Sequence, residues 1–294
     1  MTEVSYYDLY DQSKTRITGI PFFLLHKKKN LNNQKLKNEL IGQIAEEKIN
    51  IQKEFEMDEH ILIPELFKST GEIILQNIIE NIVVDSNILT GVITHDNILR
   101  LNYRNEKLVV IQTLRNKFQV LKDNELEQYF LIIYGSRVKI AKIFKSLREI
   151  FYRIGIVVIP AKMNPRNLDG LQKELDGSLL NTTIGDYASE KITQKLIVGK
   201  GYENDPDYLR DKEQGQVVQH RFGYTLPGDD KLWVVTISSD GLVRFYNNID
   251  LNFYIDFVKS KILQRLEKVQ KRPIDIPFES FNIFDDDEEN EGSV

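Results

Sequence analysis

The sequence contains no cysteine among its 294 residues. This absence excludes disulfide scaffolds, Cys-ligated zinc, iron–sulfur clusters and cysteine nucleophiles. Long hydrophobic runs are missing too, because the longest, such as residues 130–134, are far below the roughly 18 residues that a membrane span needs. The N-terminus lacks the basic region and apolar run of a signal peptide, so we expect a cytoplasmic protein with no membrane contact.

The composition favours a folded protein. Hydrophobic residues make up 41% of the chain and charged residues 28%, which is close to the average of globular proteins. The length fits one large domain or two ordinary ones. No internal repeat is apparent in the sequence.

The formal net charge of −5 hides an uneven distribution. Residues 285–291 carry six acidic side chains and no basic one, whereas residues 1–284 carry 39 basic and 38 acidic side chains. Residues 100–166 hold 14 Lys or Arg against 5 Asp or Glu. Such a basic block either faces an anionic partner or forms the solvated face of a helix.

The first half of the chain predicts an α+β module over residues 1–125. Helical spacing of apolar residues indicates helices over residues 36–55 and 71–82. Three short alternating runs then predict a β-meander over residues 89–94, 98–103 and 108–113, with His95-Asp96-Asn97 as one of its turns.

The second half predicts an α/β domain with a mixed sheet over residues 126–275, followed by an acidic disordered tail over residues 276–294. Its expected elements are strands over residues 130–134 and 156–159, helices over 140–154, 168–175 and 251–270, and a hairpin of 232–238 with 242–246. Residues 181–216 are polar and rich in turn residues, and the apolar run 196–198 indicates a strand inside them. The basic residues of the 140–154 helix lie opposite its apolar stripe, which favours the solvated-face interpretation.

Three short islands in this domain have residue types suited to phosphate chemistry. They are Asp176-Gly177-Ser178, Gln219-His220-Arg221 and Ser238-Ser239-Asp240-Gly241. A carboxylate beside a glycine can bind a metal or hydroxyl next to open backbone, and arginine offers a planar fork to phosphate oxygens. Taken singly, each Asp-Gly pair is equally typical of a tight turn.

In order and spacing, the three islands resemble the diadenylate cyclase domain found in DNA-integrity scanning proteins and membrane-linked cyclases. The similarity covers about residues 145–272. It includes the helix ending at Gly155, the strand 156–159, Asp176-Gly177 in place of an Asp-Gly-Ala motif, His220-Arg221 in place of Arg-His-Arg, and the 238–241 hairpin.

The resemblance implies a nucleotidyltransferase that condenses two ATP molecules into cyclic di-AMP between two face-to-face domains, hence a homo-oligomer. It implies Mg²⁺ or Mn²⁺ held by Asp176 and His220, catalysis at Asp176 with Gly177 allowing close approach, and residues 1–125 as a regulatory or sensor-like module. The nucleotide would be lined by Ser178, Gln219, His220, Arg221, Ser238 and Asp240.

An alternative hypothesis is that the domain kept a nucleotide-binding or protein-interaction role without turnover. Gln219 stands where the family has an arginine, and Asp240 stands where it has an acidic pair. A nucleic-acid partner is not favoured, since the sequence has no recognised binding motif and a negative net charge.

Overall fold

The computed structural model describes residues 16–26, 32–50, 61–62, 72–85, 87–103, 106–189, 192–226 and 230–267. The predicted tail, residues 276–294, lies outside this part of the chain. Two compact units form. The N-terminal unit comprises Leu24–Lys122 and Gln128–Val158, and the C-terminal unit comprises Met1–Phe23, Asp123–Glu127 and Ile159–Val294.

The N-terminal unit is an antiparallel sheet with two helices. Its elements are β1 (Thr18–His26, which begins in the C-terminal unit), α1 (Asn33–Leu40), β2 (Ile44–Asn50), β3 (Ile61–Leu62), β4 (Glu72–Asp85), β5 (Ile88–Tyr103), β6 (Glu106–Asp123), β7 (Gln128–Tyr134) and α2 (Arg137–Arg153). The strand order is β7-β6-β5-β4-β2, and β3 adds to β6 in parallel. Helix α1 contacts β4 and β5, and α2 contacts β2 and β7.

The C-terminal unit is likewise built on an antiparallel sheet. Its elements are β8 (Ile156–Pro160, which begins in the N-terminal unit), α3 (Pro165–Glu174), β9 (Ser178–Ser189), β10 (Ile192–Val198), α4 (Pro206–Gln214), β11 (Gln216–Thr225), β12 (Leu232–Ser238), β13 (Val243–Phe245) and α5 (Leu251–Phe257). A π-helical turn, Val258–Ile262, and a 3-10 turn, Leu263–Arg265, continue α5. The strand order is β10-β9-β11-β12-β13-β1.

One face of this second sheet carries the helices. Trp233 stacks on Phe253 of α5 with ring centroids 4.7 Å apart, and Phe245 packs edge-on against Phe257 at 5.0 Å. Tyr224 of β11 stacks on the same Phe257. Helices α3 and α4 contact β11 as well. This aromatic cluster therefore fixes which side chains of each strand point into the core.

The chain mixes helices and strands, as predicted, but the sheet is larger and more antiparallel than the predicted α/β arrangement. The predicted strands at 130–134 and 156–159, the helices at 140–154 and 168–175, and the 232–246 hairpin are confirmed as β7, β8, α2, α3 and β12–β13. The compact units divide elsewhere than the predicted boundary at residue 125, because β7 and α2 pack with the N-terminal unit.

The predicted helix over residues 71–82 is wrong, because this segment forms β4. Its buried residues alternate with exposed ones, so that Ile73 and Leu75 lie in the core while Ile74 is 46% exposed. Isoleucines also occur on the exposed side of β4, so apolar residues do not alternate strictly with polar ones. The resulting spacing of apolar residues also fits a helix. β-branched residues favour a strand in such a case.

Three other expectations also fail. The helix expected over residues 36–55 ends at Leu40 and gives way to β2, because Gly42 adopts a left-handed φ of 73°. The expected meander is one long hairpin of β5 and β6, with Asp96 opposite Thr113 inside it. The turn-rich segment 181–216 forms most of β9, β10 and α4.

A repeated helix-to-strand corner, not apparent from the sequence alone, becomes visible with the structure. Segment 36–44 joins α1 to β2, and segment 171–179 joins α3 to β9. The two share Leu, Glu, Leu, Gly and an aliphatic residue at identical spacing, namely Leu36, Glu39, Leu40, Gly42 and Ile44 against Leu171, Glu174, Leu175, Gly177 and Leu179. The Asp176-Gly177 pair thus aligns with Ile41-Gly42 in sequence, and the left-handed residue is Asp176 in the second corner and Gly42 in the first.

The basic residues of α2 bind strands of their own unit. Lys145 forms an ion pair of 2.7 Å with Glu47 of β2, and Lys142 donates to Asn97 of β5 at 2.9 Å. Arg153 donates to the carbonyl of Ile44. These contacts support the interpretation of the basic block as a structural helix face. None of the helices in the described ranges is long and apolar enough to span a membrane.

His95 generates a prediction about stability and pH. Its ring is 3% exposed and its Nδ1 has no hydrogen-bond partner among the described residues. Burial, and then the nearby charge of Lys142, lower the pKa of His95 below its ordinary value. Below about pH 6.5 the imidazole of His95 is protonated in the unfolded chain but stays neutral in the folded chain. The free energy of unfolding therefore falls as the pH drops below about 6.5.

We expect the variant His95→Gln to lose less stability than the wild type between about pH 7.5 and about pH 5, since it removes this titration. Urea denaturation at the two pH values measures the difference. An equal loss in both proteins would contradict the assignment.

Candidate functional site

The first island, Asp176-Gly177-Ser178, forms the end of helix α3 and the start of β9. The Asp176 N–H donates to the carbonyl of Lys173 at 3.0 Å, and the Gly177 N–H donates to that of Gln172 at 2.9 Å. This is the hydrogen-bond pattern of a Schellman helix end, in which the residue after the cap is left-handed. Asp176 has a φ of 47° and an exposed side chain. Its conformation thus ends the helix.

The close approach expected at Gly177 is made by an aromatic ring. A Cβ atom added to Gly177 would lie 2.5 Å from Cδ2 of Phe222, which is inside the range that real contacts allow. Phe222 is itself buried on the helix-covered face of β11. Glycine is needed here so that β11 can pack under the corner. Ser178, the next residue, is exposed and lies opposite Gly223 of β11.

His220, from the second island, lies in the core beneath the helices. Its side chain is 1% exposed. Nδ1 lies 2.8 Å from the Thr182 hydroxyl of β9, and Nε2 lies 2.8 Å from Oδ1 of Asp169 in α3. Tyr202 donates to the same Thr182 hydroxyl at 3.0 Å. The Thr182 hydroxyl and the Nε2–H group of His220 both find acceptors when Thr182 donates to Nδ1 and Nε2 donates to Asp169.

Asp169 joins this core network to the surface. Lys212 of α4 donates to its second carboxylate oxygen at 2.5 Å. Burial alone would raise the pKa of Asp169, but the hydrogen bonds from His220 and Lys212 outweigh it and hold the pKa below its ordinary value. Sequence reasoning missed this residue. Asp169 and His220 are 51 residues apart, and no local spacing in the sequence links them.

A hydroxyl, an imidazole and a carboxylate in sequence are also the parts of a nucleophilic triad. In this protein Thr182 has no exposed surface and His220 has almost none, so no substrate atom can reach the hydroxyl. The arrangement supports the packing of α3 and α4 on the sheet. It satisfies three buried polar groups that would each be costly if left unpaired.

The first and second islands lie at different positions along the sheet. Ser178, which follows the Asp-Gly corner, pairs with Gly223, whereas Thr182 pairs with His220. His220 and Gly223 are three positions apart on β11, a distance of about 10 Å along the strand. The carboxylate beside His220 is accordingly that of Asp169, and Asp176 lies just before the start of β9.

The third island, Ser238-Ser239-Asp240-Gly241, closes the β12–β13 hairpin on itself. The Ser238 hydroxyl donates to Oδ1 of Asp240, and the Leu242 N–H donates to the same oxygen at 3.3 Å. Gly241 supplies the left-handed φ of 80° that the turn requires. Ser238 is 2% exposed. This island therefore combines a buried serine with a turn carboxylate that accepts hydrogen bonds locally.

Arg221 points to the opposite face of the sheet from His220, because successive strand residues alternate. It lies directly opposite Thr236 of β12, which in turn lies opposite Arg244 of β13. From β9 to β1 this row is polar and consists of Asn181, Arg221, Thr236, Arg244 and Thr18, and on β10 it continues to the exposed Val198. Gln219 occupies the next row of this face, opposite Ser238, and is half-buried.

Two arginines meet at one aromatic ring on this face. The guanidinium of Arg221 lies 4.4 Å from the ring centroid of Tyr246, and that of Arg244 lies 5.5 Å from it. Arg221 also donates to the Thr236 hydroxyl at 3.2 Å and to the Tyr246 hydroxyl. We call Arg221, Arg244 and Tyr246 the arginine face. Tyr246 orients both cations, which are at most about 10 Å apart.

Neither arginine is neutralised by a carboxylate within the described part of the chain. Arg244 is exposed, and Arg221 and Tyr246 are half-buried. The predicted phosphate-binding residue Arg221 thus lies on an accessible surface, and sequence reasoning missed its neighbours Arg244 and Tyr246. Arg244 and Tyr246 lie in the predicted β12–β13 hairpin, but no motif marks the pairing of β12 with β11 that brings them to Arg221.

The described residues contain no group of three or more His, Cys, Asp or Glu side chains placed to hold a metal ion. The Mg²⁺ or Mn²⁺ site implied by the resemblance stays a prediction. No protein-family model matches this chain, and no curated protein matches it in sequence.

The buried network predicts a measurable loss of stability in the variant Thr182→Val. Valine keeps the shape but leaves Nδ1 of His220 and the Tyr202 hydroxyl without their partner, at a cost of about 1–3 kcal/mol in the free energy of unfolding. Urea denaturation measures this loss. The control Thr193→Val, on the exposed strand β10, should stay close to the wild type. A Thr182→Val protein as stable as the control would disprove the network's role.

Proposed function

We propose that this chain is a non-catalytic module that binds the phosphate groups of a nucleotide through Arg221 and Arg244. The observation that carries the proposal is the arginine face, in which two guanidinium groups contact one tyrosine ring without a neutralising carboxylate among the described residues. Arginine presents paired N–H donors that match phosphate oxygens.

The position of this surface supports an anionic ligand. The row that contains the two arginines is polar on β9, β11, β12, β13 and β1 and reaches an apolar residue at Val198 of β10. Helices α3, α4 and α5 contact the other face of the sheet. Two neighbouring cations repel each other, and a phosphate chain that contacts both removes this repulsion. Thr236 and Asn181 add neutral hydrogen-bonding groups to the same row.

The lack of turnover is supported by the partners of the other candidate residues. His220 is enclosed by Thr182 and Asp169, and the Asp240 carboxylate accepts hydrogen bonds inside its own turn. Asp176 serves as the left-handed residue of a helix end. These structural roles account for the presence of His220, Asp240 and Asp176 without a catalytic role for any of them.

ATP binding to the full chain, measured by isothermal titration calorimetry at low salt, tests the proposal. We expect Arg221→Gln and Arg244→Gln each to weaken binding by roughly tenfold or more, since each removes a charge-assisted hydrogen bond. The matched control Arg210→Gln changes the net charge equally but removes an exposed arginine that already pairs with Asp207, and it should bind like the wild type. Unaltered affinity in both test variants would refute the proposal.

The diadenylate cyclase activity implied by the resemblance stays a prediction, which the same protein tests directly. On our proposal, the full chain with ATP and Mn²⁺ or Mg²⁺ forms no cyclic di-AMP. The variant Asp176→Gly should be more stable by up to about 1 kcal/mol, because glycine adopts the left-handed φ of 47° without strain. Cyclic di-AMP formation that is lost in this stably folded variant would establish the cyclase and refute the non-catalytic role.

A further inference from the structure

We infer that the acidic C-terminal segment of this chain, residues 285–291, binds the arginine face and competes there with the anionic ligand. This inference rests on the proposed function, because it concerns the regulation of the same surface. The segment is Asp285-Asp286-Asp287-Glu288-Glu289-Asn290-Glu291, with six carboxylates and no basic side chain.

Charge complementarity favours the arginine face as its target, because two guanidinium groups lie there against one tyrosine ring. Several other basic residues of the C-terminal unit already have carboxylate partners in the structure: Lys195 with Asp211, Lys212 with Asp169, Arg210 with Asp207, and Lys261 and Arg265 with Glu174. Arg244, by contrast, is exposed and contacts the ring of Tyr246. Arginine and carboxylate form strong two-point hydrogen bonds, so a run of acids can occupy both guanidinium groups at once.

The last described residue before the acidic segment lies near the end of the C-terminal sheet where β11 begins. Glu267, the last described residue, donates its N–H to the carbonyl of Lys162 at 2.7 Å. The next residue, Met163, donates to Ser239 at 2.7 Å, and Ser239 donates to Val218 of β11 at 2.8 Å. Val218 lies three residues before Arg221 on the same strand, about 10 Å away.

The length of the connection is sufficient. Asp285 follows Glu267 by 18 residues, which can span at most about 60 Å when extended. The arginine face lies well within this reach. Since the segment is covalently attached, its local concentration near the arginines is in the millimolar range, so even weak contacts compete with a ligand at micromolar concentration.

The expected consequence is a ligand affinity that the tail reduces. A nucleotide must displace the carboxylates before its phosphates reach Arg221 and Arg244. The tail carboxylates and the nucleotide phosphates both bind the arginines through ionic contacts. Added salt weakens these contacts and so reduces the competition between them. The tail then reduces the binding of anions that contact the arginines only weakly. A ligand with several phosphates competes with the tail better than a ligand with a single phosphate.

Calorimetry with ATP on a full-chain variant whose six tail acids are changed to Asn or Gln tests the inference. We expect its dissociation constant for ATP to fall severalfold, up to about tenfold. General electrostatics alone would also favour ATP in this variant, so the comparison is repeated in the Arg244→Gln background. There, the gain from neutralising the tail should largely disappear. A gain of equal size in both backgrounds would overturn the inference.

A synthetic peptide of residues 283–294 supplies a separate readout. It should bind the tail-neutralised chain, bind the Arg244→Gln form of that chain much more weakly, and be displaced by ATP. Equal ATP affinity with and without the tail acids would overturn the tail inference while the proposed function stands. If the peptide binds through Arg244 but ATP binds neither protein, the nucleotide proposal fails and the tail contact stands.

Discussion

The alternation of side chains along β11 is the constraint on which the site depends. His220 and Arg221 are adjacent in sequence and therefore point to opposite faces of the sheet. The aromatic contacts between β11, β12, β13 and α5 decide which face is the core. Once that face is fixed, His220 is enclosed with Asp169 and Thr182, and Arg221 is presented beside Tyr246. The choice of which sheet face packs against the helices thus buries the His220 network and leaves the arginine face accessible.

The same packing explains why motif-like residues have structural roles. The Asp176-Gly177 pair ends α3 through the left-handed Asp176, whereas the corner between α1 and β2 uses the left-handed Gly42. Gly177 is required by Phe222, which lies against it. Asp-Gly pairs are common in catalytic loops and in chain reversals alike, and short-range spacing cannot distinguish the two.

Local patterns were sufficient where one face of an element is polar and the other apolar. The apolar stripe of α2, the alternating hairpin β12–β13 and the short apolar strands β7 and β8 were all recognisable. Strand β4 was mistaken for a helix because isoleucines occur on its exposed side too. Most of β9 was missed, and β10 was recognised only over residues 196–198. Polar residues in long, paired strands resemble a turn-rich segment, and pairing partners distant in sequence decide their conformation.

The sequence by itself determined the absence of cysteine chemistry, the acidic segment 285–291, the amphipathic helix α2 and Arg221 as a candidate phosphate ligand. Only the tertiary structure decided that Asp169 is the partner of His220, that Arg244 and Tyr246 join Arg221, and that no contact in the described part of the chain joins Asp176 to the His220 network. The physical reason is that strand register and face depend on contacts between residues far apart in the chain. Composition and local periodicity do not encode those contacts in any readable way.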